Sequence, residues 1–180
     1  MKALLVIDVQ NGLIEKGDFQ KELSVMERVI KDFKEDGGPV IFMKHLDDEE
    51  QSPLYRGSGG SDLHDSLKKY AEHVIEKQTP SSFFNTNLSE ILKGFGVTHL
   101  FITGFNTEYC CMFTAISAFD RGYKVSFLED ATATVNTDEI YEMEGLDINE
   151  FVGSVLYASN VIEVLDDDEY IEKYTVNKIV

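Results

Sequence analysis

Only two cysteines occur in 180 residues, and they are neighbours, Cys110 and Cys111. Adjacent cysteines cannot staple a loop, so no disulfide framework is available, and a cytoplasmic setting is expected. No apolar run approaches the roughly 18 to 20 residues that span a bilayer. The opening "MKALLVIDVQ" breaks at Asp8 with no small-residue cleavage site after it, so it reads as a strand of the mature fold rather than a signal peptide. Basic residues are scarce, 16 against 33 acidic ones. The resulting net charge of −17 argues against nucleic acid or an anionic membrane as a partner. There is no internal repeat and no linker rich in Pro, Gly and Ser. The length suits one domain, residues 1–180, with a proper core.

Short apolar runs of strand length alternate with amphipathic stretches of helix length. "ALLVIDV" (3–9), "PVIFMK" (39–44), "HVIEK" (73–77), "HLFITG" (99–104), "KVSFLED" (124–130) and "NVIEVL" (160–165) read as six strands. Phe19, Leu23, Met26, Ile30 and Phe33 form one stripe of a helix, stopped by "EDGG" at 35–38. A second helix around Leu88, Ile91 and Leu92 closes at Gly94 and Gly96, and a third runs from about Glu108 to Arg121. This alternation predicts right-handed crossovers and an α/β fold of Rossmann-like type, a three-layer α/β/α sandwich on a six-stranded parallel sheet ordered 3-2-1-4-5-6. The one long irregular stretch, 45–62, is a candidate substrate lid.

Ligands of open parallel sheets bind beyond the carboxyl ends of the strands. Strand one ends near Asp8 and strand three at Lys77, while strand four leads through "GFNTEY" to Cys110. Each residue alone has a bland reading: a turn acid, a surface charge, a small buried hydrophobe. Together they predict an acid, a cation and a thiol in one crevice, with the thiol pKa depressed by the cation and the helix N-terminus. His45 follows strand two at the same edge, so it can line the pocket. Phe83, Phe84 and Phe105 are aromatic candidates for walling a flat ligand, with core packing the bland reading for the first two.

Four ordered stretches, "LLVIDVQNGL" (4–13), "EKQTPSSFFNTNL" (76–88), "ITGFNTEYCCMFTAISAFDRGYKV" (102–125) and "EDATAT" (129–134), resemble the isochorismatase-like cysteine hydrolases, a family that includes nicotinamidases and carbamoyl-amidases. The resemblance implies a catalytic set of Asp8, Lys77 and Cys110, with Cys111 turned into packing. It implies a cis peptide at Phe105–Asn106 and an oxyanion hole from the backbone N–H groups of Asn106 and Cys110. Gln10, His45, Phe83 and Phe105 fall at substrate-side positions. The implied activity is hydrolysis of a small amide or carbamoyl-type C–N bond through a thioester. Nicotinamidase or isochorismatase chemistry is the alternative, and a non-catalytic ligand-binding domain is the alternative from another class. Metal-binding relatives carry an Asp-x-His pair after the second strand, where this chain has "MKHLDD" (43–48). No metal and no cofactor are therefore expected, although His45 and His64 are the residues that could ligate one. A redox role for the vicinal cysteines is disfavoured by the lack of Cys-x-x-Cys. The family also implies a homo-oligomer, dimer or tetramer, and "EYIEKYTVNKIV" (169–180), whose apolar residues are surplus to the sheet, is the candidate interface arm.

Overall fold

The computed structural model describes residues 1–175. Its centre is a six-stranded sheet in the order β3-β2-β1-β4-β5-β6. The strands are β1 (Lys2–Ile7), β2 (Val40–His45), β3 (His73–Lys77), β4 (His99–Phe105), β5 (Lys124–Ala133) and β6 (Glu163–Leu165). Every neighbouring pair is parallel, the arrangement that alternating strands and helices predict. The helices are α1 (Asn11–Ile14), α2 (Gln20–Glu35), α3 (Asp65–Lys68), α4 (Leu88–Gly94), α5 (Met112–Asp120), α6 (Ile148–Ala158) and α7 (Asp167–Tyr174).

Two apolar cores lie on opposite faces of the sheet. One gathers Leu4, Val6, Phe42 and Phe101 with the α2 residues Met26, Val29, Ile30 and Phe33. The other gathers Leu5, Ile7, Ile41 and Ile102 with Leu92, Cys111, Ala115, Val152 and Leu156. Alternate residues of β1 therefore point into different cores, which is why its sequence is continuously apolar. α2 ends where the sequence places its stop: Gly37 takes a left-handed φ of 69°, and the Gly38 N–H donates to Phe33 O at 2.8 Å.

Boundaries differ from the sequence reading at several points, β6 for one starting only at Glu163. β1 stops at Ile7 because Asp8 turns to φ 53°. β5 runs on to Ala133, absorbing most of "EDATAT", because Thr132 and Ala133 pair with Gly104 and Phe105 after a bulge in the register. The third helix is interrupted: Thr107–Cys111 forms a π turn before α5 begins at Met112.

The 45–62 stretch is not a loose flap. Leu54 and Ser61 are buried, Asp47 bridges to Tyr55, and Arg56 N–H donates to Asp47 O at 2.9 Å. The Pro53 carbonyl is wedged so tightly that a Cβ on Gly12 or Gly60 would lie 2.2 Å from it. Of the proposed interface arm, residues 169–174 belong to α7, whose Tyr170 is buried, and residues 176–180 lie outside the described residues.

Candidate active site

The strand order sets four chain segments side by side at one edge of the sheet. His45 and Lys77 are register partners at the ends of β2 and β3. Ile7 pairs with Met43 on one side and Gly104 on the other, so Asp8 leaves β1 between them. Neighbouring strands are about 4.8 Å apart, so β3 lies roughly 10 Å from β1. A long side chain is needed to cross that gap beneath His45, and Lys77 supplies it.

The Lys77 ammonium stands 2.6 Å from Asp8 Oδ2, 3.2 Å from Cys110 Sγ, 3.0 Å from His45 Nδ1 and 3.2 Å from the Thr79 carbonyl. The three residues of the sequence-derived set thus touch through one nitrogen. Four acceptors compete for three ammonium protons. Because an ammonium only donates, His45 Nδ1 must accept from it, which leaves the ring proton on Nε2. That nitrogen lies 2.9 Å from Asp47 Oδ1, and the other Asp47 oxygen accepts a short hydrogen bond of 2.5 Å from Ser52 Oγ.

Asp8 and Lys77 are shut off from water, at 1% and 3% exposure, while Cys110 is partly exposed. Asp8 Oδ1 is buried and has no hydrogen-bond partner among the described residues. The Asp8 backbone is held in the left-handed region, a conformation that costs a non-glycine residue about 1–3 kcal/mol and clusters at functional sites. Burial pulls the Lys77 pKa down, but Asp8 and Cys110 more than offset it, and the ammonium is held above its ordinary range.

The thiol departs from expectation. Burial pushes the Cys110 pKa up, the Asp8 carboxylate pushes it further, and Lys77 pulls it back without compensating. At rest the group is therefore a neutral thiol facing a carboxylate, not the preformed thiolate that a cation alone would give. Cys111 points into the second core with no exposed surface, and burial raises its thiol as well.

The turn that carries Cys110 is built on close contact. Gly104 has φ 121°, and a Cβ there would stand 2.0 Å from the Ile7 carbonyl. The Phe105–Asn106 peptide is cis. The Asn106 carbonyl accepts from Tyr109 N–H at 3.2 Å and Cys111 N–H at 3.1 Å, and its side chain accepts from Val135 N–H at 3.2 Å.

Several substrate-side candidates do other work. Phe105 is fully buried in the first core, edge-on to Phe19 at 4.9 Å, and so is no pocket wall. Phe83 packs in the second core, stacked 6.0 Å from Tyr123 with the Arg121 guanidinium 4.7 Å away, while Phe84 faces solvent. Gln10 is a clamp: Oε1 accepts from His45 N–H, and Nε2 donates to His45 O and Ser61 O, all at 2.8 Å. With no exposed surface, that amide has nothing left for a ligand. His45 does reach the site, against Lys77. Sequence reasoning missed the anchoring of His45 by Asp47; the signal was an acid two residues beyond the histidine.

Asp8, His45 and Cys110 each offer a ligand atom, all within 4.8 Å of one another. The Lys77 ammonium already stands among those three atoms, so the arrangement does not fit a metal ion. His64 is occupied at the start of α3, its Nδ1 2.8 Å from Ser66 Oγ.

This chain is similar to the isochorismatase family protein YddQ of Bacillus subtilis, at 32% identity over 73% of the chain and 77% of that protein. It is 31% identical to nicotinamidase 3 of Arabidopsis thaliana, over 78% of the chain and 76% of the relative. A third relative, also from Arabidopsis thaliana, is named as an inactive nicotinamidase; it is 32% identical over 81% of the chain and 87% of its own length. Among solved structures, a Burkholderia xenovorans protein provisionally described as an isochorismatase superposes with a TM-score of 0.84 at 30% identity, over 95% of this chain and 86% of that one. The N-carbamoylsarcosine amidase of Thermoplasma acidophilum gives 0.74 at 25% identity, over 93% and 97% of the two chains. The isochorismatase domain model matches residues 2–156, nearly the whole of the described fold, and the chain belongs to the isochorismatase family of hydrolases.

Proposed function

We propose that the protein is a cysteine-dependent hydrolase of a small amide or carbamoyl-type C–N bond. The observation that carries this reading is the meeting of Asp8, Lys77 and Cys110 at one ammonium nitrogen, with Asp8 Oδ1 unpartnered among the described residues. As the Cys110 sulfur attacks the carbonyl carbon, its proton passes to Asp8. Lys77 holds Asp8 in place at 2.6 Å and stabilises the sulfur as charge grows on it. The backbone N–H groups of Asn106 and Cys110 receive the oxyanion, where one donor is typically worth about 3 kcal/mol. Collapse of the tetrahedral intermediate breaks the C–N bond, and the amine or ammonia leaves with the proton from Asp8. Water then attacks the thioester, Asp8 again takes a proton, and the acid departs as Cys110 regains its hydrogen.

The burial of Asp8 and Lys77 favours a small substrate. A net charge of −17 suits neither nucleic acid nor an anionic membrane, and no helix among the described residues is long and apolar enough to cross one. Two free cysteines suit a reducing compartment, and the reading places the enzyme in the cytoplasm, as a homo-oligomer. Amide chemistry is supported by relatives named as a nicotinamidase and a carbamoylsarcosine amidase.

The test is ammonia release from a panel of small amides and ureides. Cys110→Ala loses turnover by several orders of magnitude, as when other nucleophiles are removed, and Cys111→Ala keeps it. Equal turnover in wild type and Cys110→Ala overturns the reading. The relative named as inactive supports a second reading, a ligand-binding domain on the same scaffold. Saturable binding of a panel compound with no ammonia release would favour it.

A further inference from the structure

An ammonium on a flexible four-carbon stem does not fix its own direction: it turns about its last bond and offers three hydrogens to whatever accepts them. Lys77 ends β3, whereas the two groups it serves, Asp8 and Cys110, follow β1 and β4. Only β2 separates β3 from β1, and the β2 residue paired with Lys77 across that gap is His45. Around the ammonium, Asp8 Oδ2, His45 Nδ1 and Cys110 Sγ lie at 2.6, 3.0 and 3.2 Å, the last a close approach for an atom as large as sulfur. The Thr79 carbonyl, also at 3.2 Å, is at the long limit for an N–H···O bond. Three hydrogens thus meet three close acceptors. The fourth, two residues beyond Lys77 on the lysine's own side of the sheet, is left with the loosest contact.

His45 is held more firmly than a pocket wall requires. Gln10 clamps its backbone at both the N–H and the carbonyl, at 2.8 Å each. Its Nε2 lies 2.9 Å from Asp47 Oδ1. Asp47 is fixed in turn, by Ser52 Oγ at its other oxygen and by Leu54 O and the Arg56 N–H along its backbone. With the Nε2 hydrogen given to Asp47 and the Nδ1 lone pair to Lys77, the ring has no polar atom left for a substrate. The carboxylate behind the ring sets its tautomer and strengthens Nδ1 as an acceptor.

We propose that His45 is a positioning residue for the reaction: its ring, locked by Asp47 and Gln10, takes one Lys77 hydrogen and so aims the other two at Asp8 and Cys110. The inference rests on the reading of Cys110 as the nucleophile. Without the ring, nothing holds the ammonium midway across the sheet; it turns back to the Thr79 carbonyl, and its hydrogen bond to the sulfur lengthens. The sulfur then loses the donor that steadies its charge during attack.

Alkylation of Cys110 by iodoacetamide, located by mass spectrometry, reads the contact between ammonium and sulfur whether or not any amide is hydrolysed. Failure of the hydrolase reading and failure of this inference are thereby told apart. With circular dichroism to confirm folding, His45→Leu labels about fivefold more slowly than wild type, the worth of one net hydrogen bond. His45→Asn recovers most of that loss, because its Oδ1 stands where the ring Nδ1 stood. Made on top of Asp8→Asn with Lys77→Met, His45→Leu changes the rate no further, since no ammonium is left to aim. Heteronuclear NMR of the four histidine rings, with His45→Asn to assign the signal, finds the His45 hydrogen on Nε2 and Nδ1 bare. Labelling of His45→Leu at or above the wild-type rate, no recovery in His45→Asn, an equal slowing in the absence of Lys77, or a hydrogen on Nδ1 each overturns the proposal.

Discussion

The Asp8 carboxylate, just past the end of β1, and the Lys77 ammonium, at the end of β3, meet at 2.6 Å across β2 with side-chain exposures of 1% and 0%. A pair this dry gains little net stability from its own attraction, because both ions are stripped of water. Its consequence is local: it fixes where a carboxylate oxygen faces a thiol.

Removing one member exposes the cost. Lys77→Met leaves Asp8 buried without its counter-ion and is expected to lower stability by about 3–5 kcal/mol. Asp8→Asn with Lys77→Met together recovers much of that loss, since neither charge then remains. Urea unfolding of the two single variants and the double variant measures this; losses that simply add would show that the pair is not coupled.

Gly104 is where backbone meets backbone. A methyl group there would sit 2.0 Å from the Ile7 carbonyl at a φ of 121°. Gly104→Ala is expected to cost on the order of 3 kcal/mol or more and to disturb the Cys110 turn. Thermal denaturation at wild-type stability would contradict the close approach.

Much of this was legible in the sequence, and the rest failed for identifiable reasons. The alternation of strands and helices predicts the parallel sheet, because right-handed crossovers leave few arrangements, and the meeting of Asp8, Lys77 and Cys110 at one edge follows from their places at the strand ends. Phe105 and Phe83 were misplaced because an aromatic beside a catalytic turn reads alike whether it faces a ligand or the core; only the contacts with Phe19 and Tyr123 decide. Gln10 reads as substrate-side because it stands two residues after Asp8, yet its amide is taken up by hydrogen bonds with His45 and Ser61. The thiol was expected to be acidic because a helix start and a lysine are visible in one dimension. The burial and the Asp8 carboxylate that outweigh them are not.

The pH dependence of stability has a source far from the site. His99 is buried against Ser126, Nε2 to Oγ 2.7 Å, and burial, with Lys124 next in weight, pulls its pKa from 6.5 down to about 4. A base with a depressed native pKa stays neutral in the fold while the unfolded chain takes a proton. Its stabilisation is complete above pH 6.5 and lost as pH falls toward 4, by at most about 3 kcal/mol. Glu163 extends the loss to lower pH: burial raises its pKa, but hydrogen bonds from Lys173, Ser126 and Tyr174 win and bring it from 4.5 to about 2. Urea midpoints at pH 7 and pH 4.5 should therefore fall further in wild type than in His99→Gln. Equal falls would remove His99 as the cause.

The central claim is that Asp8 holds Cys110 as a neutral thiol and takes its proton only during attack. The rate of Cys110 alkylation by iodoacetamide at neutral pH, compared between wild type and Asp8→Asn, tests it most directly. Asparagine tolerates the left-handed backbone, removes the charge that raises the thiol pKa, and leaves the Lys77 cation in place. The account predicts slow labelling of wild type and labelling at least about tenfold faster in Asp8→Asn, one pKa unit's worth, while amide hydrolysis is abolished. Fast labelling of wild type that slows in Asp8→Asn would contradict it.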